Sequence, residues 1–263
     1  MLHWLHDRRR REILEQPFPD EWRDVLRTRM VHYGYLDDEE RARLEDMAQV
    51  FVVEKHWEGC AGFEVTDDVK VTVAGQACLL LLGLQHLLYS NVFSILLYPS
   101  AVRLPAQPRP IGGGPIVDAS PMPIAGEARF RGPVLLVWDK VREGAFHPQR
   151  GHNVVYHEFA HKLDMLDGTI DGTPPLADSS EYQRWVDVCT GEYEALRKRS
   201  GRGEKTFLDP YGATNPGEFF AVATEYFFDR PERMAHATPD LYDVLRGFYN
   251  QDPAERERRY QHS

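Results

Sequence analysis

The sequence predicts an α+β fold with a helical N-terminal region. Three observations carry this. The first sixty residues are charged and helix-patterned; Phe93–Tyr98 and Pro133–Val141 are short apolar runs of strand type; helical spacing returns after residue 154. At 263 residues the chain is long enough for one large domain, or one domain with a helical extension. We divide it into a helical N-terminal region, 1–60, packed on a main domain, 61–263.

Each element has its own reason. Glu21–Met30 and Asp37–Glu54 are the helices of the first region, and Leu44, Met47, Val50 and Phe51 form an apolar stripe that packs on the main domain or, as the alternative, holds a partner. Thr66-Asp67-Asp68 starts the next helix, expected to run through about Leu88. Val71 to Val102 holds no Asp, Glu, Lys or Arg, but Gln76, Gln85, His86, Ser90, Asn91 and Ser94 interrupt it, as do Gly75 and Gly83. A spanning helix wants about 20 mostly apolar residues. A buried helix followed by a core strand is therefore expected, and no membrane span. Leu104–Pro133, with Gly112-Gly113-Gly114 and seven prolines, is a long loop, either a lid or binding loop or a disordered segment. Pro133–Val141 is the second strand, lying just before the helix Val154–Leu166. Ser180–Arg199 is a helix opened by a capping box of Ser180 and Gln183. Val222–Phe228 continues a helix, Leu241–Tyr249 is a short one, and Ala254–Ser263 is a charged tail.

The chemistry concentrates in His157-Glu158-Phe159-Ala160-His161, which fits H-E-x-x-H. Residues four apart on a helix share a face, so both imidazoles can bind one Zn²⁺, and the Glu beside the first can handle the proton of the attacking water. The bare motif turns up by chance in about one chain of this length in a hundred, so context decides. Val155, Phe159, Leu163 and Leu166 form one apolar stripe, while His157, His161 and Asp164 lie opposite, with Glu158 on a flank. Gly151, His152 and Asn153 offer a helix start. Lys162 is a departure, a charge where stricter zinc-peptidase patterns carry an uncharged residue. His152 reads as a surface or capping residue.

A catalytic zinc takes three protein ligands and keeps a position for water. The best third candidate is Glu218, in Tyr211-Gly212-Ala213-Thr214-Asn215-Pro216-Gly217-Glu218. It also has a plain reading: with Asn215 as N-cap and Pro216 at the first helical position, Glu218 falls where a capping-box Glu belongs. Asp171 competes, in a G-T-x-D run of the kind aspzincin peptidases use, although Asp167-Gly168 and Asp171-Gly172 are turn dipeptides. Asp164 lies too near the motif to reach the metal and suits orienting a ligand His. Glu225, seven residues after Glu218, shares its helix face and is either an orienting carboxylate or a surface charge.

With these residues in hand, the chain resembles the Mlc titration factor A family of bacterial zinc peptidases. The matching blocks are His157-Glu158-Phe159-Ala160-His161-Lys162-Leu163-Asp164-Met165 and Tyr211 to Phe220. More distantly both look like the catalytic domain of anthrax lethal factor, which shares H-E-F-x-H and a Tyr seven residues before its ligand Glu. The resemblance implies a zincin-like, gluzincin-type metallopeptidase domain. It implies zinc ligands His157, His161 and Glu218, Glu158 as general base and Tyr211 as transition-state stabiliser. It further implies aminopeptidase-type activity on a peptide or protein substrate, binding of the transcriptional repressor Mlc, and a cytoplasmic role in sugar-uptake control. Lethal factor has a Glu four residues after its ligand Glu, where this chain has Val222, so the residues around the ligands must differ there.

Composition narrows the rest. A formal net charge of −10 argues against direct nucleic-acid binding, which needs a basic surface. Cys60, Cys78 and Cys189 are few and scattered, which suits a reducing cytoplasm. Arg8 to Arg11 are followed by Glu12-Ile13-Leu14-Glu15 rather than an apolar stretch, so no signal peptide is expected.

Overall fold

The fold, a computed structural model, is described for residues 2–84, 88–100, 132–176 and 179–262. Four helices open it: α1 (Leu2–Leu14), α2 (Asp20–Arg29), α3 (Val31–Tyr35) and α4 (Asp38–Glu54). Asp37 and Glu40 close a full capping box on α4, each side chain accepting the other's backbone N–H. Leu44, Val50 and Phe51 are buried, as the stripe requires. Strand β1 (His56–Gly59) follows, then α5 (Asp67–Leu79), β2 (Ser94–Tyr98) and β3 (Val134–Val137). The three strands are parallel in the order β1-β2-β3, with His56 facing Ser94 and Ile95 facing Val134. The sequence predicts the α+β class; the structure adds that the sheet is small, with three strands among the described residues.

Two expected boundaries move. The helix from Thr66 ends at Leu79 rather than near Leu88. Gln251 Nε2 donates to the carbonyls of Leu79 and Leu80 at 3.0 and 3.2 Å, capping the helix end from another part of the chain. Just beyond, a Cβ on Gly83 would lie 2.2 Å from the Tyr249 carbonyl oxygen, so the backbones touch there. The expected strand Pro133–Val141 stops at Val137, because its partner runs out: Tyr98 faces Val137 and Pro99 follows, with no N–H to give a ladder. The chain turns instead into α6 (Trp138–Phe146). Of the expected loop Leu104–Pro133, all but Gly132 and Pro133 lies outside the described residues.

Helix α7 (Val154–Asp164) carries the motif, and a 3₁₀ turn (Met165–Asp167) extends it. Val155, Phe159 and Leu163 are fully buried. Phe159 packs against Tyr89 and Phe51, ring centroids 4.6 and 5.7 Å apart. Each such side chain contributes about 1.5–3 kcal/mol by burial, which fixes the rotation of α7 and turns the histidines to the opposite face. The chain continues through α8 (Ser179–Gly201), a 3₁₀ turn (Pro210–Ala213), α9 (Pro216–Asp229), α10 (Pro231–Ala237), α11 (Pro239–Tyr249) and α12 (Pro253–Gln261). The expected charged tail is thus a helix. Asp252 accepts from Glu255 N, Pro253 takes the first helical position, and the buried Arg256 pairs with Glu40 at 2.6 Å on the start of α4. None of the described helices is long and apolar enough to cross a membrane.

Candidate metal centre

Two helices meet to build the site, and each begins on an asparagine. Asn153 Oδ1 accepts from Val155 N and Tyr156 N, both at 3.1 Å, and starts α7. Asn215 Oδ1 accepts from Glu218 N at 2.9 Å and, with Pro216 behind it, starts α9. α7 and α9 pack together, bringing the first turn of α9 over the histidine face of α7.

The Glu218 carboxylate turns to the imidazoles. Its Oε2 lies 3.0 Å from His157 Nε2 and 3.3 Å from His161 Nε2. The box at Asp37 and Glu40 shows what the alternative looks like in the same molecule. One ligand atom from each of His157, His161 and Glu218 lies within 4.8 Å of the others. Donors bound tetrahedrally at about 2.1 Å sit roughly 3.4 Å apart, so this triangle fits a metal of zinc's size and preference for nitrogen and carboxylate oxygen. Electrostatics point the same way. Burial raises the Glu218 carboxyl, but hydrogen bonds to His157 and His161 outweigh it and hold it well below the usual carboxylate range. Burial opposes charge on His157, yet Glu218 and then Glu225 overcome it and push the imidazole up to about 10. The centre of the site favours a cation.

Glu225 settles what the sequence left open. It lies two turns along α9 from Glu218, with Oε1 2.8 Å from His157 Nδ1, and its Oε2 accepts from Asn153 N at 2.6 Å. A carboxylate at Nδ1 keeps the imidazole proton there and leaves the Nε2 lone pair for a metal. Asn153 is held in turn, its Nδ2 donating to Gln76 Oε1 at 3.0 Å. The only sequence signal for Glu225 is its seven-residue spacing from Glu218; Gln76 carries none.

Asp164 makes no hydrogen bond to a ligand histidine, although the charge of His161 acts on its carboxyl. It is fully buried, and its Oδ2 accepts from Gly172 N at 3.0 Å. Its Oδ1 and the Nδ1 of His161 are both buried without a hydrogen-bond partner. Asp171 stays out of the cluster and accepts from Thr173 N at 3.0 Å, as a turn aspartate does. His152 is exposed, 3.6 Å from Asp209. Lys162, the departure from the stricter pattern, points away from the ligand face, buried, with Nζ donating to Gly132 O at 3.1 Å.

Glu158 is half-buried beside the histidines, and burial raises its carboxyl against the lowering pull of His157 and His161. A raised carboxyl suits a group that must take up and release a proton. Tyr211 stands on the 3₁₀ turn before α9, its N–H donating to Asp209 Oδ1 at 2.8 Å. Its ring centroid is 5.9 Å from that of His157, and 43% of the residue remains exposed. Burial, then the charges of Glu218 and Glu158, raise its hydroxyl, so it stays a proton donor facing the site.

Comparison with known proteins places the chain among metallopeptidase-family proteins. Residues 4–250 match the model of the family described as glucose-regulated metallo-peptidase M90. An uncharacterized protein of Synechocystis sp. is 39% identical over 252 residues, covering 95% of this chain and 90% of that protein. Mlc titration factor A of Serratia proteamaculans is 31% identical over 244 residues, 92% of this chain and 90% of the relative. Mlc titration factor A of Edwardsiella ictaluri is 32% identical over 225 residues, 84% of each.

Proposed function

The chain belongs to the glucose-regulated metallo-peptidase M90 family, and on that premise we propose that it is a zinc-dependent peptidase. His157, His161 and Glu218 hold the metal, Glu158 is the general base and Tyr211 the transition-state stabiliser. The supporting observation is the convergence of those three ligand atoms within 4.8 Å, beside a buried-side carboxyl and a tyrosine. When bound, Zn²⁺ supplies Lewis acidity that polarises the peptide carbonyl and acidifies water. Glu158 accepts the proton of the attacking water and delivers it to the leaving amine. The Tyr211 hydroxyl donates to the oxygen on which charge develops. Glu225 keeps His157 in the tautomer that presents Nε2. An extended substrate pairs along β3, which ends the described sheet just before α6 and α7.

The ligand assignment is tested by metal content. Glu218→Ala loses zinc while Asp171→Ala keeps it; the reverse result moves the third ligand to Asp171. The finer reading is aminopeptidase-like, so an unblocked aminoacyl anilide is hydrolysed faster than its N-acetylated form. Equal rates, or the reverse, remove the aminopeptidase-like reading.

A second property is binding of an Mlc-type transcriptional repressor in the cytoplasm, supported by the name Mlc titration factor A borne by the relatives. This needs no hydrolysis. A Glu158→Gln variant that still sequesters the repressor makes regulation a matter of binding; one that does not makes it depend on the catalytic site.

A further inference from the structure

One imidazole outside the metal centre ties its two helices together. His32 of α3 is buried, and both of its ring nitrogens are engaged. Nε2 lies 3.0 Å from the carbonyl oxygen of Phe228, near the end of α9. Nδ1 lies 3.2 Å from the hydroxyl of Tyr156 on α7. A carbonyl only accepts, so Nε2 carries the proton and Nδ1 accepts from the Tyr156 hydroxyl. Burial pushes the His32 pKa down to about 4, which keeps the ring in this neutral form. Asp229 Oδ1 comes within 3.4 Å of Nε2, but neither oxygen of Asp229 has a hydrogen-bond partner. The rings of Tyr35 and Tyr156 pack edge-on against the imidazole, centroids 5.9 and 5.7 Å away.

Both partners of His32 stand next to the ligand residues. Tyr156 directly precedes His157 in α7. Phe228 follows Glu225 by three residues, less than one turn of α9. The Phe228 carbonyl is among the last four of that helix, which find no partner within it. Phe228 and Tyr156 are both buried, so each group would stay poorly matched without the imidazole. Between these two fixed points sits the Glu225 carboxylate, 2.8 Å from His157 Nδ1 and 2.6 Å from Asn153 N.

We infer that His32 is a positioning residue for the metal centre, contributed by the N-terminal helices. It makes no hydrogen bond to a ligand. It acts by fixing the end of α9 against α7, so that Glu225 meets His157 and Asn153 together. This role rests on the reading of His157, His161 and Glu218 as metal ligands. Plain packing of α3 predicts something different, a loss of stability alone.

The test compares three variants of the full chain. His32→Phe keeps an aromatic ring against Tyr35 and Tyr156 but removes both hydrogen bonds. His32→Gln returns one donor and one acceptor in a planar amide. Val25→Ala truncates a buried side chain of the neighbouring α2 and leaves His32 in place. Two quantities are read beside Tm. One is zinc affinity, by competition with a chromophoric chelator. The other is amide exchange of Asn153 in the metal-free chain, whose N–H is held by Glu225. His32→Phe should weaken zinc about three- to tenfold, less than loss of a direct carboxylate partner would, and should speed Asn153 exchange. His32→Gln should recover most of both, while Val25→Ala lowers Tm and moves neither. A His32→Phe chain with lower Tm but wild-type zinc affinity and Asn153 exchange would overturn the inference. Equal effects in Val25→Ala, or no recovery in His32→Gln, would do the same. A wild type that binds no zinc strikes the metal reading instead, and Asn153 exchange then decides the role of His32 by itself.

Discussion

The two histidines of the site sit on one helix, four residues apart, yet their surroundings differ. Around His157 every polar atom is matched: Nδ1 meets Glu225, Glu225 also accepts from Asn153 N, and Asn153 leans on Gln76. Around His161 the matching fails, with its Nδ1 and the Oδ1 of Asp164 both buried and unpartnered. The first half is a closed hydrogen-bond network that fixes one imidazole before any metal arrives. The second half has no such network behind its Nδ1. The comparison teaches that metal affinity should rest unequally on residues that do not touch the metal.

That inequality can be broken or sharpened by substitution. The largest effect is expected for Glu225→Ala, which frees His157 and strands Asn153 N. Zinc affinity should fall ten- to a hundredfold, read by competition with a chromophoric chelator; an unchanged affinity would erase the distinction between the halves. Next comes Gly172→Ala, on the His161 side. Gly172 has φ +79°, and a Cβ there would lie 2.4 Å from the Pro216 carbonyl oxygen at the start of α9. The loop that donates to Asp164 must move, at a cost of about 3 kcal/mol in urea unfolding. Asn153→Ala removes a cap and should cost about 1–2 kcal/mol of stability, with a smaller loss of zinc affinity than Glu225→Ala.

The smallest effect on metal is expected for Asp164→Asn, threefold or less, because no bond to His161 is lost. Its signature is in the pH dependence. Burial pushes the Asp164 carboxyl from 3.8 up to about 6. The folded state therefore keeps a proton that the unfolded chain releases, and stability falls as pH rises from about 4 to about 6. Asp164→Asn should flatten that segment of the stability profile, measured by urea unfolding at intervals across it; a slope left unchanged would assign it to another group.

Much of this was legible in the sequence, for local reasons. The face of α7 follows from helical periodicity, and Phe159 and the histidines fall where periodicity puts them. Asn215-Pro216 announces the start of α9 and so places Glu218 in its first turn. What stayed hidden depends on distant partners. The end of α5 is set by Gln251, some 170 residues away in sequence. The end of β3 is set by where β2 stops, and the docking of α12 by Arg256 meeting Glu40. The cap at Asp252-Pro253 was readable from local chemistry, but the surrounding charge favoured a tail. Glu225 was visible only as a spacing, and its role needed α9 laid across α7.

The account turns on a metal held by His157, His161 and Glu218 and on a base beside it. The most direct measurement is zinc per chain together with peptide turnover, on wild type and Glu158→Gln, purified without chelator or a histidine tag. The account predicts about one zinc per chain in both, from the single three-ligand site, and turnover in the wild type only. No bound zinc in the wild type, or undiminished turnover in the variant, would contradict it.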